Sequence, residues 1–270
     1  MKILSLDTSA KTATAAVVEG DQILAESSVN AGLTHSQTVM PMLSGMLSAA
    51  KLALNDVDLI AVSHGPGSFT GIRIGIGAVK GLAQGLQKPC FGVSTLEGLA
   101  YNFKGLDGYV CPAMDARCGQ VYAALFLGGD GKISRQWEDA AIPVTELGQR
   151  LLTLNAPVWL LGDGAELCYK SLKDTVPGIR LAPPQLRLQR ASSIGFAAEE
   201  ALKTEKPLSP AISPPISIGR TARCILAFPV QNRIWTKVSG TFFRRAWSAL
   251  SAKAVGMCMN WRPSILTASA

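Results

Sequence analysis

The hydrophobic pattern of the chain begins with three short strand-like runs. Residues 2–9 form an apolar run that ends in small polar residues, as expected of a buried strand that enters a turn. Two further runs, 12–20 and 22–30, are separated by Gly20-Asp21. Because a Gly-Asp pair between two such runs is a hairpin signal, we predict an antiparallel meander of three strands.

Helical spacing then alternates with strand-like runs. Apolar residues recur on one stripe over 35–51, which predicts a helix with Thr34 as its N-cap. Residues 59–67 predict a buried strand that ends in a Gly-Pro-Gly turn, and a long helix is expected over 68–86, capped by its first serine or threonine. Residues 89–103 predict a strand followed by a helix.

A second mixed block follows from about residue 105. Its predicted features are a strand pair around a turn at 115–120, a hairpin closed at 128–131, a helix over 144–154, a buried strand over 158–167 that enters a Gly-rich turn, and an amphipathic helix over 191–204. Ser192 or Ser193 is the candidate N-cap of the last helix. A βββαβα block followed by a second mixed block is typical of two domains that face a cleft.

We therefore predict an α/β protein with three parts. An N-terminal domain over 1–104 carries the partner-binding helices, and a smaller second domain over 105–205 ends in a helix that returns to the first domain. Residues 206–270 hold nine Lys and Arg and no Asp or Glu, and they sustain no helical or strand period. This tail is expected to be poorly ordered or the product of a shifted reading frame.

The charge of the chain is divided unevenly. The formal net charge is +7, but residues 1–205 hold 17 basic and 19 acidic residues. The basic character therefore belongs to the tail, and the isoelectric point is no argument that the folded part binds nucleic acid. RNA binding by the tail is one alternative that the composition leaves open.

Other compositional features bear on location and metal chemistry. The sequence has no apolar run long enough for a membrane span and no signal-peptide pattern at its start, so a cytoplasmic protein without a membrane partner is expected. Its six cysteines contain no Cys-x-x-Cys pair, which favours buried and inert thiols over disulfides or a zinc site.

Two segments suggest phosphate chemistry. Asp7, Thr8 and Ser9 stand at the end of the first predicted strand, where a carboxylate can face a metal-bound nucleotide and hydroxyls can meet phosphate oxygens. Residues 64–75 read HGPGSFTGIRIG and open a helix whose N-terminus would favour an anion. No Gly-Lys-Ser/Thr follows, so this string is not a P-loop.

The longer string is similar to the signature of the TsaB (YeaZ) family of tRNA threonylcarbamoyladenosine biosynthesis proteins. The resemblance covers most of 1–205, and its segments are Leu6-Asp7-Thr8-Ser9, Thr34-His35-Ser36-Gln37, residues 65–75, Ser94-Thr95-Leu96-Glu97, Met114-Asp115-Ala116-Arg117, Val121-Tyr122 and Gly162-Asp163-Gly164-Ala165. The chain departs from the family at Cys118 and Gln120, which replace a basic and an acidic residue. The match stops after Ala211, which favours the frame-shift interpretation of the tail.

The resemblance implies an actin-like ATPase (ASKHA, ribonuclease H-like) fold with two similar mixed α/β domains. It implies a non-catalytic scaffold subunit that supports transfer of a threonylcarbamoyl group to the adenosine next to the anticodon, in tRNAs that read codons beginning with adenine. The implied partners are a TsaD-type catalytic subunit, a TsaE-type ATPase, a second copy of the chain and, through the complex, tRNA. No cofactor is required by the chain alone, and ATP enters at the level of the complex.

Two sets of residues are the candidate sites. A degenerate nucleotide cleft is expected at Asp7, Ser68, Thr70, Asp115, Gly162 and Gly164. The partner surface is expected on the first two helices, at His35, Met42, Met46, Gly71, Arg73, Gly75, Ala78 and Gly81. Small residues one turn apart let another helix approach closely, although the same row would also suit packing inside its own domain.

Enzymatic alternatives are weaker on the residues. An ATP-dependent kinase or ATPase would need more groups that hold phosphate and metal than the motifs supply. A metallopeptidase would need neighbouring histidines, but His35 and His64 are the two histidines of the chain and are 29 positions apart. No catalytic and no metal-binding residue is assigned.

Overall fold

Within residues 1–209, which the computed structural model describes, ten strands form two five-stranded sheets. The strands of the first sheet are β1 (Lys2–Asp7), β2 (Ala13–Glu19), β3 (Gln22–Val29), β4 (Leu59–Ser63) and β5 (Cys90–Val93). The strands of the second sheet are β6 (Gly108–Arg117), β7 (Gln120–Gly129), β8 (Lys132–Pro143), β9 (Val158–Leu161) and β10 (Ile179–Leu181). The predicted tail over 206–270 lies outside the described residues from position 210 onward.

The helices connect the strands in the same way in both halves. They are α1 (His35–Ala49), α2 (Phe69–Leu86), α3 (Thr95–Ala100), α4 (Val144–Leu152), α5 (Ala165–Leu172), α6 (Pro184–Arg187) and α7 (Ala191–Ala201). Helices α1 and α2 flank β4 along the chain, as α4 and α5 flank β9. Short 3-10 turns lie at Leu54–Asp56 and Tyr101–Phe103.

The two sheets share one topology. Their orders are β3-β2-β1-β4-β5 and β8-β7-β6-β9-β10, with three antiparallel strands followed by two parallel ones in each. This duplicated sheet, with helices after its third and fourth strands, confirms the predicted actin-like fold and the predicted meander. The sheets lie in one compact unit, and the domain boundary at 104/105 stays a prediction.

Both faces of the first sheet are covered. Helices α1 and α2 bury one face, where residues such as Leu43 and Ile72 pack on Leu4 and Ile60. Helix α7 covers the opposite face, with Ile194 among residues of β1, β4 and β5. Because both faces are buried there, the inner strands such as β4 are almost entirely apolar and their hydrophobic runs are visible in the sequence, whereas the edge strand β3 is half-exposed and more polar.

Helix α2 approaches the turn after β1 very closely. The Ser68 hydroxyl caps the helix by accepting from the Gly71 N–H at 3.3 Å, as predicted. A Cβ atom at position 71 would collide with the carbonyl oxygen of Thr8, and one at position 75 would collide with the Thr8 hydroxyl. Glycine at 71 and 75 therefore allows this approach, and the row of small residues begins inside its own domain.

Several local predictions were wrong. The predicted strand over 158–167 ends at Leu161, and a helix, α5, starts at Ala165. Neither Ser192 nor Ser193 caps α7, because both lie inside it after the N-cap Arg190. Helix α1 does begin after Thr34, but the Thr34 hydroxyl donates to Gln37 Oε1 and makes no capping bond.

The cysteines do not all follow the prediction of buried thiols. Those at 90, 111 and 168 are buried, and burial raises the pKa of each of these thiols. Cys118 is exposed in the tight turn between β6 and β7, where its backbone has a φ of 50°. It lies at the surface because the hairpin extends beyond the body of the second sheet.

Alanine at two positions of α2 tests the close approach. We expect Gly71→Ala to lower the free energy of unfolding by about 1–3 kcal/mol, because the new methyl group meets the Thr8 backbone. We expect Gly77→Ala to raise it by up to about 1 kcal/mol, because position 77 faces open space and alanine favours the helix. Denaturant unfolding measures both, and equal signs for the two variants would contradict the packing.

Candidate functional site: interlobe cleft and helical surface

The turn after β1 carries Asp7, the first residue predicted for the cleft. Asp7 is 1% exposed, and its Oδ1 accepts hydrogen bonds from the N–H of Ser9 at 2.8 Å and the hydroxyl of Ser9 at 2.6 Å. The Thr8 hydroxyl donates to the Gly71 carbonyl at 2.7 Å. These bonds hold the turn against α2 and keep Asp7 beneath the surface, so Asp7 does not line the cleft.

The environment of Asp7 favours its neutral form. Burial raises the pKa of the Asp7 carboxyl, because a charged group loses its solvation inside the protein. The hydrogen bonds from Ser9 and the charge of His35 act in the opposite direction and are outweighed. Because the carboxyl is buried, it does not reach the cavity between the two sheets.

A cavity of about 380 Å³ lies between the two sheets. Its polar lining residues are Ser9, Lys11, Ser68, Asp115, Arg117, Tyr122 and Asp163. Of the six residues predicted for the cleft, Ser68 and Asp115 therefore line it. Thr70 is exposed on the first turn of α2 and does not contribute to the lining.

Opposite charges are balanced in this cavity. Lys11 and Arg117 bring two positive charges, while Asp115 and Asp163 bring two carboxylates. Asp163 Oδ1 accepts from the Asp115 N–H at 3.2 Å, and burial raises the pKa of Asp163, with the Asp115 charge adding to the rise. A polyphosphate chain would meet carboxylates and cations in equal number, so the cavity offers no positive field for it.

The predicted glycines Gly162 and Gly164 serve the packing of the second sheet. Both are buried, and the Gly164 N–H donates to the Ala113 carbonyl at 3.0 Å. The turn that contains them lies directly against β6, because neither residue has a side chain to hold it away. Asp163 of this turn lines the cavity. The Gly-Asp-Gly-Ala motif therefore predicted the correct turn, but the residue of the turn that lines the cavity is Asp163 and neither of the two glycines.

Sequence reasoning missed Lys11, Arg117 and Asp163 in the cavity. Arg117 and Asp163 stand inside segments that were singled out, and Lys11 stands two residues after Ser9, but the direction of these side chains depends on how the two sheets face each other. Strand alternation alone did not show which side chains of the hairpin would turn inward.

Four residues predicted for the partner surface are buried within the chain. Met42 and Met46 point from α1 into the core of the first sheet, and Gly71 and Gly75 lie against Thr8. These predictions were wrong as surface assignments, because the apolar stripe of each helix is the stripe that covers the sheet. His35 is half-buried, and its Nε2 donates to the Ala10 carbonyl at 2.7 Å.

The remaining predicted residues of α2 are exposed or half-buried, and Ala78 among them packs partly against the core of the first sheet. We define the outer face of α2 by its exposed or half-buried residues, Arg73, Gly77, Ala78, Gly81 and Gly85. A Cβ atom at any of its three glycines would meet no other atom within 4 Å. This face includes three of the eight predicted partner residues.

Exposed apolar side chains also lie at the start of α2 and at the start of α1. Phe69, at the start of α2, is 45% exposed, and the Arg73 guanidinium lies 5.0 Å from its ring centroid. Phe69 also lines the cavity, so the cleft opens beside α2. On α1, Met40 is exposed, and Leu33 precedes the helix with 61% exposure.

The histidines lie apart from any cluster of metal ligands. In the part of the chain that the structure describes, no group of three or more His, Cys, Asp or Glu side chains could hold a metal ion. Burial lowers the pKa of His64, and the charges of Asp139 and Arg135 act on it in opposite directions.

Helix lengths also bear on membrane insertion. Across residues 1–209, none of the helices combines the length and the apolar character that crossing a membrane requires.

Comparison with known proteins identifies the family. The model of the TsaD family, tRNA N6-adenosine threonylcarbamoyltransferase, matches residues 29–206. The tRNA threonylcarbamoyladenosine biosynthesis protein TsaB of Bacillus subtilis is 35% identical over 176 residues, which cover 65% of this chain and 77% of that protein. TsaB of Escherichia coli is 34% identical over 167 residues, which cover 61% of this chain and 72% of that protein.

A solved structure agrees with this result. A Pseudomonas aeruginosa protein, described as similar to the peptidase YEAZ, superimposes with a TM-score of 0.67 and 29% sequence identity. The match covers 81% of this chain and 99% of that one. Sequence, family model and fold thus converge, and the chain belongs to the TsaB (YeaZ) proteins of the TsaD-like family.

Proposed function

We propose that the chain is a non-catalytic scaffold subunit in the formation of threonylcarbamoyladenosine in tRNA. In this role it supports the transfer of a threonylcarbamoyl group to the adenosine next to the anticodon, in tRNAs that read codons beginning with adenine. The relatives from two bacteria are named for this biosynthesis. The observation that carries the scaffold role is the row of three exposed glycines on the outer face of α2, Gly77, Gly81 and Gly85, beside which no other atom of residues 1–209 would meet an added Cβ within 4 Å.

Glycine in the middle of a helix is costly unless something uses the space. Each glycine lowers helix stability by up to about 1 kcal/mol relative to alanine. Gly71 and Gly75 are explained by the close contact with Thr8, but no contact within residues 1–209 explains Gly77, Gly81 and Gly85 in the same way. A helix of a partner that packs across these positions could approach the α2 backbone closely.

The partner that best fits is a TsaD-type subunit, because this chain matches the TsaD family model over most of its folded part. Similar folds can pair through equivalent helices, which also accounts for a homodimer through the same surface in the absence of TsaD. A TsaE-type ATPase would join this pair, and tRNA would be bound through the complex. A cytoplasmic location follows from this role.

The interlobe cleft supports a role without catalysis by this chain. Asp7 is buried with a raised pKa, and the lining charges cancel. The residues present therefore offer few favourable interactions with nucleotide phosphates. In this proposal ATP is used by the assembled complex and not by this chain alone. Turnover of ATP by the purified chain alone would favour the rival kinase or ATPase.

A leucine on the outer face of α2 tests the partner surface. We expect Gly81→Leu to weaken binding to the TsaD-type subunit at least about tenfold, because the side chain blocks close approach. Isothermal titration calorimetry measures the affinity, and size-exclusion chromatography with light scattering measures the stoichiometry, which should be one to one without the mutation.

The matched control places leucine on another exposed helical surface. Lys170→Leu, on α5 of the second sheet, should bind like the unmodified chain. If Gly81→Leu binds TsaD as tightly as the unmodified chain does, the outer face of α2 is not part of the interface. Failure of the unmodified chain to bind TsaD would refute the scaffold role itself.

The pH dependence of stability tests the state of Asp7. Its raised pKa means that the folded chain holds this proton more tightly than the unfolded chain, so stability from protonated Asp7 is full in acid and declines as pH rises through the folded-state pKa. Asp7→Asn lacks this decline. We therefore compare the melting temperatures of Asp7→Asn and of the unmodified chain at about pH 4, close to the pKa of a free Asp, and at about pH 8. We expect the melting temperature of Asp7→Asn to rise relative to that of the unmodified chain between these two pH values.

Asp130→Asn is the control, because Asp130 lies in the exposed turn between β7 and β8 at a φ of 52° that asparagine also adopts. Its relative melting temperature should not change with pH in the same way. A relative loss of stability by Asp7→Asn toward pH 8 would show an ionised and stabilising carboxylate, as an active nucleotide site requires.

A further inference from the structure

Helix α3 is packed between the two halves of the fold. Its Leu96 and Leu99 are buried against residues of the second sheet, including Phe126. Its other side meets α7, which covers the first sheet, and Gly98 lies against the side chain of Ile194 so closely that no Cβ atom would fit. The two sheets are thus connected through a helix that contacts both.

Polar side chains cross from β8 to the start of this helix. The Arg135 guanidinium donates to Asp139 Oδ1 at 2.5 Å and to Glu97 Oε2 at 3.2 Å, and it lies 4.6 Å from the ring centroid of Phe126. The second oxygen of Asp139 accepts from the Ser94 hydroxyl at 2.6 Å. We call Ser94, Glu97, Arg135 and Asp139 the Arg135 clasp.

The clasp joins the first sheet to the second because Ser94 directly follows β5, whereas Arg135 and Asp139 belong to β8. Its ion-paired side chains are between 20% and 34% exposed, so solvent screens their attraction less than at an open surface. One guanidinium holds two carboxylates. Its removal would leave Glu97 and Asp139 facing each other as like charges.

A second set of hydrogen bonds ties Asn102, which follows α3, to α6, to α7 and to the chain between these two helices. The Asn102 side-chain amide donates to the carbonyls of Leu186 and Leu188, both at 2.8 Å. The Ser193 hydroxyl donates to Asn102 Oδ1 at 2.7 Å. Asn102 is half-buried, and this arrangement uses both its donor and its acceptor groups.

We propose that the Arg135 clasp, with the contact between α3 and α7, locks the two sheets at one angle, so that the two sheets behave as one rigid body. Proteins that close around a ligand do so because the ligand makes better contacts in the closed state. None of the clasp residues lines the cavity between the sheets. The lock therefore acts without a ligand in the cleft, and it stands independently of the proposed scaffold role.

Distance measurements between the two halves test the lock. Spin labels would be placed on the exposed native Cys118, beside β6, and on Gln84→Cys, an exposed position of α2, in the full chain with Cys224 and Cys258 replaced by serine. We expect double electron–electron resonance to give one narrow distance distribution that magnesium-ATP leaves unchanged. We expect Arg135→Ala to make this distribution about twofold wider.

The control removes an ion pair that stays within one helix. Arg150 pairs with Glu146 at 2.6 Å on α4, so Arg150→Ala should leave the distribution unchanged. Asp139→Asn is the milder variant and should widen the distribution even if Arg135→Ala fails to fold. An unchanged width in the folded clasp variants would overturn the proposal, as would a distance in the unmodified chain that shifts with magnesium-ATP.

Discussion

The rest of the structure depends on the contact between α2 and the turn after β1. The helix backbone and the Thr8 main chain approach so closely that glycine is required at 71 and 75. This contact buries Asp7 under the helix, and the Thr8 hydroxyl adds a hydrogen bond to the Gly71 carbonyl. The same contact determines which side of α2 faces outward, and it therefore places Gly77, Gly81 and Gly85 on the surface.

The duplicated topology gives the chain a cleft, and positive and negative side chains line it in equal number. Parallel strands bring the ends of β1 and β4 together, where ligands commonly bind in open α/β sheets. Here that edge is covered by the turn after β4, and the remaining cavity carries two cations and two carboxylates. The chain thus has the actin-like fold with its cleft, while the outer face of α2 presents a row of exposed glycines.

Polar contacts that fix the tertiary arrangement join residues far apart in the chain. Glu26 of β3 accepts from the N–H and the hydroxyl of Ser192, 166 positions away, and pairs with Arg190. Ser94 and Asp139 are 45 positions apart. These polar contacts lie beside continuous apolar cores, so each one restrains the angle between elements whose burial already holds them together.

The sequence by itself determined the strand and helix order of the first half, the hairpins and the long helix capped by Ser68. Those features follow from local spacing and turn chemistry, which act over a few residues. Sequence similarity also determined the family. Local spacing was insufficient where tertiary contacts compete with it, because Ser192 and Ser193 resemble caps but bind Glu26 and Asn102. The tertiary structure alone decided that Met42, Met46, Gly71 and Gly75 face inward and Gly77 and Gly81 outward, since a helix presents small and apolar residues on several sides and only the packed sheet selects the side that is buried.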